Sequence, residues 1–281
     1  MDAVWWTRRH GSHQRTSRPA GRRHGSRRRG GPPGGRGRSR RLLARIRLDQ
    51  GDYADIALHP AFAGRPFLAY DAPGCGETTC EDLGRISIPF LVRTARAVLA
   101  RHGIERCHLV GHSMGGLTAL LLAHQEPDRV LSFVDIEGNL APEDCFLSRQ
   151  IVTHPSEDPE HFVADFTERV RRSPQFSSAL YAASVRHKVR PGAVRGIFES
   201  MVDLSDHGDL MTKFLSLPFP RMFLYGEQNS TLSYLTKLAA NDVELAEIPH
   251  SGHWPMYSNA VAMWERIADF TSQVPGSTER L

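Results

Sequence analysis

The sequence predicts an α/β fold: a mostly parallel sheet flanked by helices, with an all-helical insertion near its middle. Three observations carry this expectation. From Pro66 to Ile136, short apolar runs alternate with stretches of helical periodicity, the rhythm of parallel strands joined by crossover helices. A serine among glycines, Gly111-His112-Ser113-Met114-Gly115-Gly116, stands between one such run and the next helical stretch. Residues 138–216 then leave the rhythm and read as helix without any strand pattern.

In order, Leu42 to Ile46 reads as a single helical turn. Asp52 to Leu58 reads as a helix ended by His59-Pro60, because the residue before proline is pushed out of the helical region. Pro66 to Tyr70 is a buried strand, and Asp71 to Thr78 a turn. Ile86 to His102 places Ile88, Leu91, Val92, Ala95, Val98 and Leu99 on one helical face, with Gly103 as its cap. Arg106 to Val110 is the strand that enters the serine turn, and Val130 to Ile136 is the next. Within the insertion, helices are expected at His161–Arg172, Ser177–Lys188 and Ala193–Val202. The sheet resumes at Pro220–Gly226. A helix over Leu232–Ala240, a strand over Val243–Ile248 and a helix over Asn259–Thr271 complete it.

Charge divides the chain. Residues 1–47 hold 15 arginines, no lysine and one acid, Asp2, a net of +14; the remainder holds 20 basic against 30 acidic residues, a net of −10. The basic character therefore belongs to the amino-terminal segment, and no nucleic-acid surface is expected on the folded part. Residues 1–41 are Arg/Gly-rich low complexity that cannot bury a core, so disorder is expected. Three origins suit that composition: an arm for nucleic acid or anionic membrane, a transit peptide, or an out-of-frame start. The last is favoured, so the segment is read as not native. No apolar run is long enough to span a bilayer, and no apolar stretch follows the basic start as in a secretory signal. Cys75, Cys80, Cys107 and Cys145 show no metal-ligand spacing and are too few for a disulfide scaffold. Thus no membrane, metal or cofactor is expected, and cytoplasmic residence is.

The turn at Ser113 carries the chemistry. A serine at the apex of so tight a strand–turn–helix connection needs small neighbours. It presents its hydroxyl at the carboxyl edge of the sheet, beside the Met114 N–H at a helix start. Such a serine needs a base, and His253 follows the last predicted strand on a loop marked by Gly252 and Pro255; His250 competes for that role. Together, Asp71-Ala72-Pro73-Gly74-Cys75-Gly76-Glu77-Thr78, Gly111 to Gly116 and Gly252-His253-Trp254-Pro255 closely resemble the Asp-x-Pro-Gly turn, the nucleophile elbow and the histidine loop of the α/β-hydrolase superfamily, over roughly Pro66 to Thr271. The resemblance implies a Ser–acid–His order, selects His253 over His250, and makes the insertion a helical cap. The expected organisation is a first core segment over residues 42–137, a cap over 138–216 and a second core segment over 217–275.

The acid departs from the family's usual place. Gly226-Glu227-Gln228-Asn229 sets an asparagine where an aspartate is commonest. Some members take the acid from the end of the strand after the elbow helix, where this chain has Asp135 and Glu137. These two fall on one side of an extended strand. Glu137 is favoured, being nearer the carboxyl end and followed by Gly138 for a sharp turn; Asp135, Glu227 and Asn229 remain alternatives. The family also draws a second oxyanion donor from a His-Gly stretch after an earlier apolar strand. His10-Gly11 and His24-Gly25 have no strand before them, so amino-terminal strands are expected to be missing or replaced.

The expected function is a serine hydrolase acting on an ester, thioester or lactone-type bond of a small molecule through an acyl-enzyme. Ser113 excludes the aspartate-nucleophile epoxide hydrolases and haloalkane dehalogenases. A cofactor-free haloperoxidase, a carbon–carbon hydrolase and a catalytically inactive binding protein stay open. Phe146, Phe162 and Phe176 are candidates to line a pocket.

Overall fold

The apolar runs pair into one seven-stranded sheet. The computed structural model describes residues 4–6, 42–47, 50–174 and 176–274. Its strands are β1 (Val4–Trp6), β2 (Leu42–Arg47), β3 (Phe67–Asp71), β4 (Cys107–His112), β5 (Val130–Ile136), β6 (Arg221–Gly226) and β7 (Glu244–Ile248). Their spatial order is β1-β3-β2-β4-β5-β6-β7. β1 is antiparallel to β3, and all other pairs are parallel.

Two strands differ from the sequence expectation. Leu42–Arg47, read as a helical turn, is a strand inserted between β3 and β4. Six residues with two arginines give weak local preference either way, and pairing on both edges decides the outcome. Val4–Trp6 lies inside the low-complexity segment and pairs with Phe67–Ala69. The amino-terminal part of the chain thus supplies two strands rather than none. His10-Gly11, His24-Gly25 and most of residues 1–41 lie outside the described residues.

Helices cover both faces. On one side lie α1 (Ile88–Arg101) and α2 (Met114–Gln125). Side chains alternate along each strand, so Leu109, Phe133 and Phe223 join the core under α1 and α2. Their neighbours Val110, Val134, Met222 and Leu224 face the opposite core. There they meet the 3₁₀ segment Gln50–Leu58 through Tyr53 and Ile56, and the last helix through Trp264 and Ile267. α2 is buried from Met114 through Ala123, as a central helix enclosed on every side must be.

The insertion is helical throughout: α3 (Ser148–Val152), α4 (Pro159–Arg171), α5 (Phe176–Lys188), α6 (Pro191–His207) and α7 (Leu210–Leu215). The chain then returns through β6, α8 (Leu235–Ala239), β7, α9 (Pro255–Ser258) and α10 (Ala260–Gln273). Backbone hydrogen bonds tie the cap to the Asp71–Thr78 turn. Gly76 N–H donates to the Lys188 carbonyl at 2.8 Å, and Arg190 N–H donates to the Gly74 carbonyl at 2.9 Å. Beside them the Lys188 ammonium meets the Asp52 carboxylate and the Tyr257 hydroxyl, which itself donates to Asp52. That ring joins the segment after β2, the end of α5 and the helix after the histidine loop.

All four cysteines are free thiols. Burial pushes the Cys107 thiol up to about 12, which leaves it unreactive. Among the described residues, no helix is long and apolar enough to cross a membrane.

Candidate active site

β4 delivers the elbow. At its end Ser113 adopts φ 51° and ψ −123°, a left-handed conformation that costs on the order of 1–3 kcal/mol for a residue with a Cβ. Two contacts hold it: Ser113 N–H donates to the Ile136 carbonyl, and Leu117 N–H donates to the Ser113 carbonyl, both at 3.0 Å. Strand and helix close up behind the serine only because Gly111 lacks a side chain. A Cβ there would stand 2.4 Å from the Gly115 carbonyl oxygen. Met114 begins α2, so its N–H is among those without an intrahelical acceptor, and the positive end of the helix dipole lies at the serine.

One residue past β5, the chain turns at Glu137 itself, not at Gly138: Glu137 has φ 45°. Glu137 N–H donates to the Leu224 carbonyl at 3.0 Å, which fixes the turn against β6. The turn separates two carboxylates that an extended strand would have kept on one side. Glu137 Oε1 accepts from Gly226 N–H at 2.7 Å, and Oε2 accepts from the Asn229 side-chain amide at 2.7 Å. Oε2 also lies 2.8 Å from His253 Nδ1. Since the carboxylate only accepts, the imidazole carries its proton on Nδ1 and leaves Nε2 with a free lone pair. Both side chains are more than nine-tenths buried. His253 and Ser113 line one cavity. The serine hydroxyl makes no hydrogen bond to the ring among the described residues, a link that in such sites commonly closes only with substrate bound.

The other candidates fall elsewhere. Asp135 is fully buried beneath the elbow, in space that Gly138 leaves open; a Cβ on Gly138 would sit 2.1 Å from Asp135 Oδ1. Burial, then repulsion from Asp144, holds the Asp135 carboxyl well above the usual range, against a weaker pull from the Gly138 N–H. Among the described residues it makes no hydrogen bond to His253. Glu227 accepts the His250 N–H at 2.7 Å near the surface, and the His250 ring is 89% exposed. Asn229 donates its side-chain amide to Glu137. The sequence reading passed over His112, whose Nε2 lies 2.6 Å from the His253 carbonyl. Its ring packs at 4.8 Å from that of His253. The only sequence signal was its place beside the serine.

A narrow cavity of about 40 Å³ opens above Ser113, roofed from the cap by Phe146, Phe166, Tyr181, Phe198 and Met201, with Trp254 from the histidine loop. Of the three phenylalanines singled out in the sequence, Phe146 lines the cavity and packs edge-on to His253 at 5.5 Å. Phe162 is buried in the core, and the Phe176 side chain lies outside the described residues. Asp144 also lines the cavity. Its carboxylate accepts from the Leu140 and Ala141 N–H groups and from the Tyr234 hydroxyl, yet burial still raises it to about 6. β2 runs beside β4 with Ile46 opposite Gly111, so the chain leaves β2 at the level of the elbow. Residues 48 and 49, which follow, lie outside the described residues. Among the described residues, no cluster of histidine, cysteine or carboxylate groups suits a metal ion.

This geometry agrees with comparison to known proteins. The model of the Alpha/beta hydrolase family matches residues 33–268. The chain belongs to that family. RutD of Variovorax paradoxus, which carries the name of a carbamate hydrolase, is 25% identical over 232 residues, covering 75% of this chain and 83% of its own. The sn-1-specific diacylglycerol lipase ABHD11 of Mus musculus is 28% identical over 207 residues, covering 68% of this chain and 66% of the lipase. Among solved structures, the enol-lactonase from Burkholderia xenovorans LB400 superposes with a TM-score of 0.64 at 20% identity, over 85% of this chain and 94% of the lactonase. At that identity the likeness concerns the fold.

Proposed function

We propose that this family member is a serine hydrolase that cleaves an ester, thioester or lactone-type bond through an acyl-enzyme. The observation that carries the reading is the buried Glu137–His253 pair, 2.8 Å apart, sharing a cavity with a serine at a strained elbow. His253 Nε2 takes the Ser113 proton as Oγ attacks the carbonyl carbon. Glu137 holds the tautomer and stabilises the imidazolium that forms. The oxyanion receives the Met114 N–H at the start of α2. His253 then protonates the leaving group, and water activated by the same ring releases the acyl group.

The relatives' names agree with acyl chemistry in general, and the apolar roof suits a small acyl group. The test is labelling by a fluorophosphonate probe. The wild type should be labelled and Ser113→Ala should not. A well-folded wild type that takes no label would instead favour an inert binding protein.

A further inference from the structure

A second cavity, of about 200 Å³, adjoins the first. Phe146, Leu147, His253 and Trp254 line both, so the outer chamber opens onto the base. Its chemistry is different. Gln150, Ser173, Ser178 and Asn229 contribute polar groups, and Arg169 is the one charged side chain among the described residues that line it.

Arg169 is exposed on α4, and one hydrogen bond orients it. The Gln150 amide donates to the Phe146 carbonyl at 2.9 Å. That fixes its Oε1, which accepts from Arg169 Nε at 3.1 Å. The two terminal nitrogens of the guanidinium have no partner among the described residues. The nearest carboxylate in sequence, Glu168, is taken by Arg171 and Arg172. An oriented guanidinium with a free fork suits the two oxygens of a carboxylate or phosphate. Arg169 and His253 line the same chamber, and His253 and Ser113 line the one that adjoins it, so one substrate can span both.

We infer that the outer chamber is an anion subsite. The substrate is then an ester or related acyl compound with a short apolar arm under the cap roof and an oxyanion-bearing arm, carboxylate or phosphate, held by Arg169. This rests on the hydrolase reading above and narrows it.

The experiment compares matched esters. One set carries a terminal carboxylate on the acyl side (p-nitrophenyl monoesters of dicarboxylic acids). A second carries a terminal carboxylate or phosphate on the alcohol side. Each has a neutral methyl-capped partner. The wild type should favour the anionic ester of at least one set in kcat/KM. Arg169→Gln should lower that anionic-to-neutral ratio by about tenfold or more, Arg169→Lys should lower it less, and Arg171→Gln should leave it in place. Carboxylate against phosphate arms identify the anion. Calorimetric binding of the same esters to Ser113→Ala, with and without Arg169→Gln, needs no turnover. If the fluorophosphonate test fails but anionic binding still depends on Arg169, the subsite stands and the catalytic reading falls. A wild type with no anionic preference in either placement, or a ratio and affinity untouched by Arg169→Gln, overturns the inference.

Discussion

The floor and the roof of this cavity are built on different physics. The floor is backbone: Ser113 and Glu137 both sit at positive φ, at the ends of adjacent strands, and hydrogen bonds to Ile136, Leu224 and Gly226 pin them. The roof is side chain: aromatic and aliphatic residues from α4, α5 and α6 and from the turn at Phe146. A position fixed by backbone has one answer, whereas a packed apolar surface tolerates exchange. Changes to the floor should abolish turnover, and changes to the roof should redirect it.

The largest expected effect is on the floor. Ser113→Ala should reduce kcat by about 10⁵-fold or more in an ester assay. Glu137→Gln keeps the shape but removes the charge and invites the wrong imidazole tautomer, so a loss of about 10⁴ is expected. If Asn229→Ala or Asp135→Asn proves more damaging than Glu137→Gln, the acid has been misassigned. Asn229→Ala removes one hydrogen bond to the Glu137 carboxylate, worth about 1.5–3 kcal/mol, and should lower kcat by roughly ten- to a hundredfold, less than Glu137→Gln. On the roof, Phe198→Ala enlarges the narrow cavity. It should shift the preferred p-nitrophenyl ester toward longer acyl chains, read as kcat/KM against chain length; an unchanged profile would separate Phe198 from acyl selection.

The smallest effect concerns pH. Asp144 is raised in the folded state to about 6, so the native protein holds its proton more tightly than the unfolded chain does. The stability this provides is full below the ordinary aspartate value near 4 and is lost as pH rises through about 6. Asp144→Asn should flatten that decline, measured as Tm between pH 4 and 7. Asp135 shifts in the same direction, and Asp135→Asn should likewise reduce the loss of Tm as pH rises.

The same contrast explains what could be read in the sequence. The elbow was legible because Gly111, Ser113 and Gly115 leave few alternative turns. Glu137 emerged as a carboxylate at a strand end, though the sequence put the sharp turn one residue late, at Gly138. The bond from Asn229 to Glu137 was not legible, because it joins residues whose pairing depends on β5 and β6 lying side by side. β2 was hidden for a similar reason. Its arginines mask the apolar pattern, and partners from β3 and β4 on both edges make it a strand. The roof was the least legible. Periodicity places aromatic residues on a helix face but does not say which face meets a cavity, so Phe146 and Phe162 looked alike and lie apart.

The ring of Lys188, Asp52 and Tyr257 closes three chain segments, otherwise remote, into a loop of mutual restraint. One corner lies just past β2, one at the base of the cap, and one beside the histidine loop. Loosening any corner breaks two of the three contacts, so thermal unfolding should not peel the cap from an intact sheet. Melting followed at the cap and at the core should trace one cooperative transition, with the loss of labelling at Ser113 falling on the same curve.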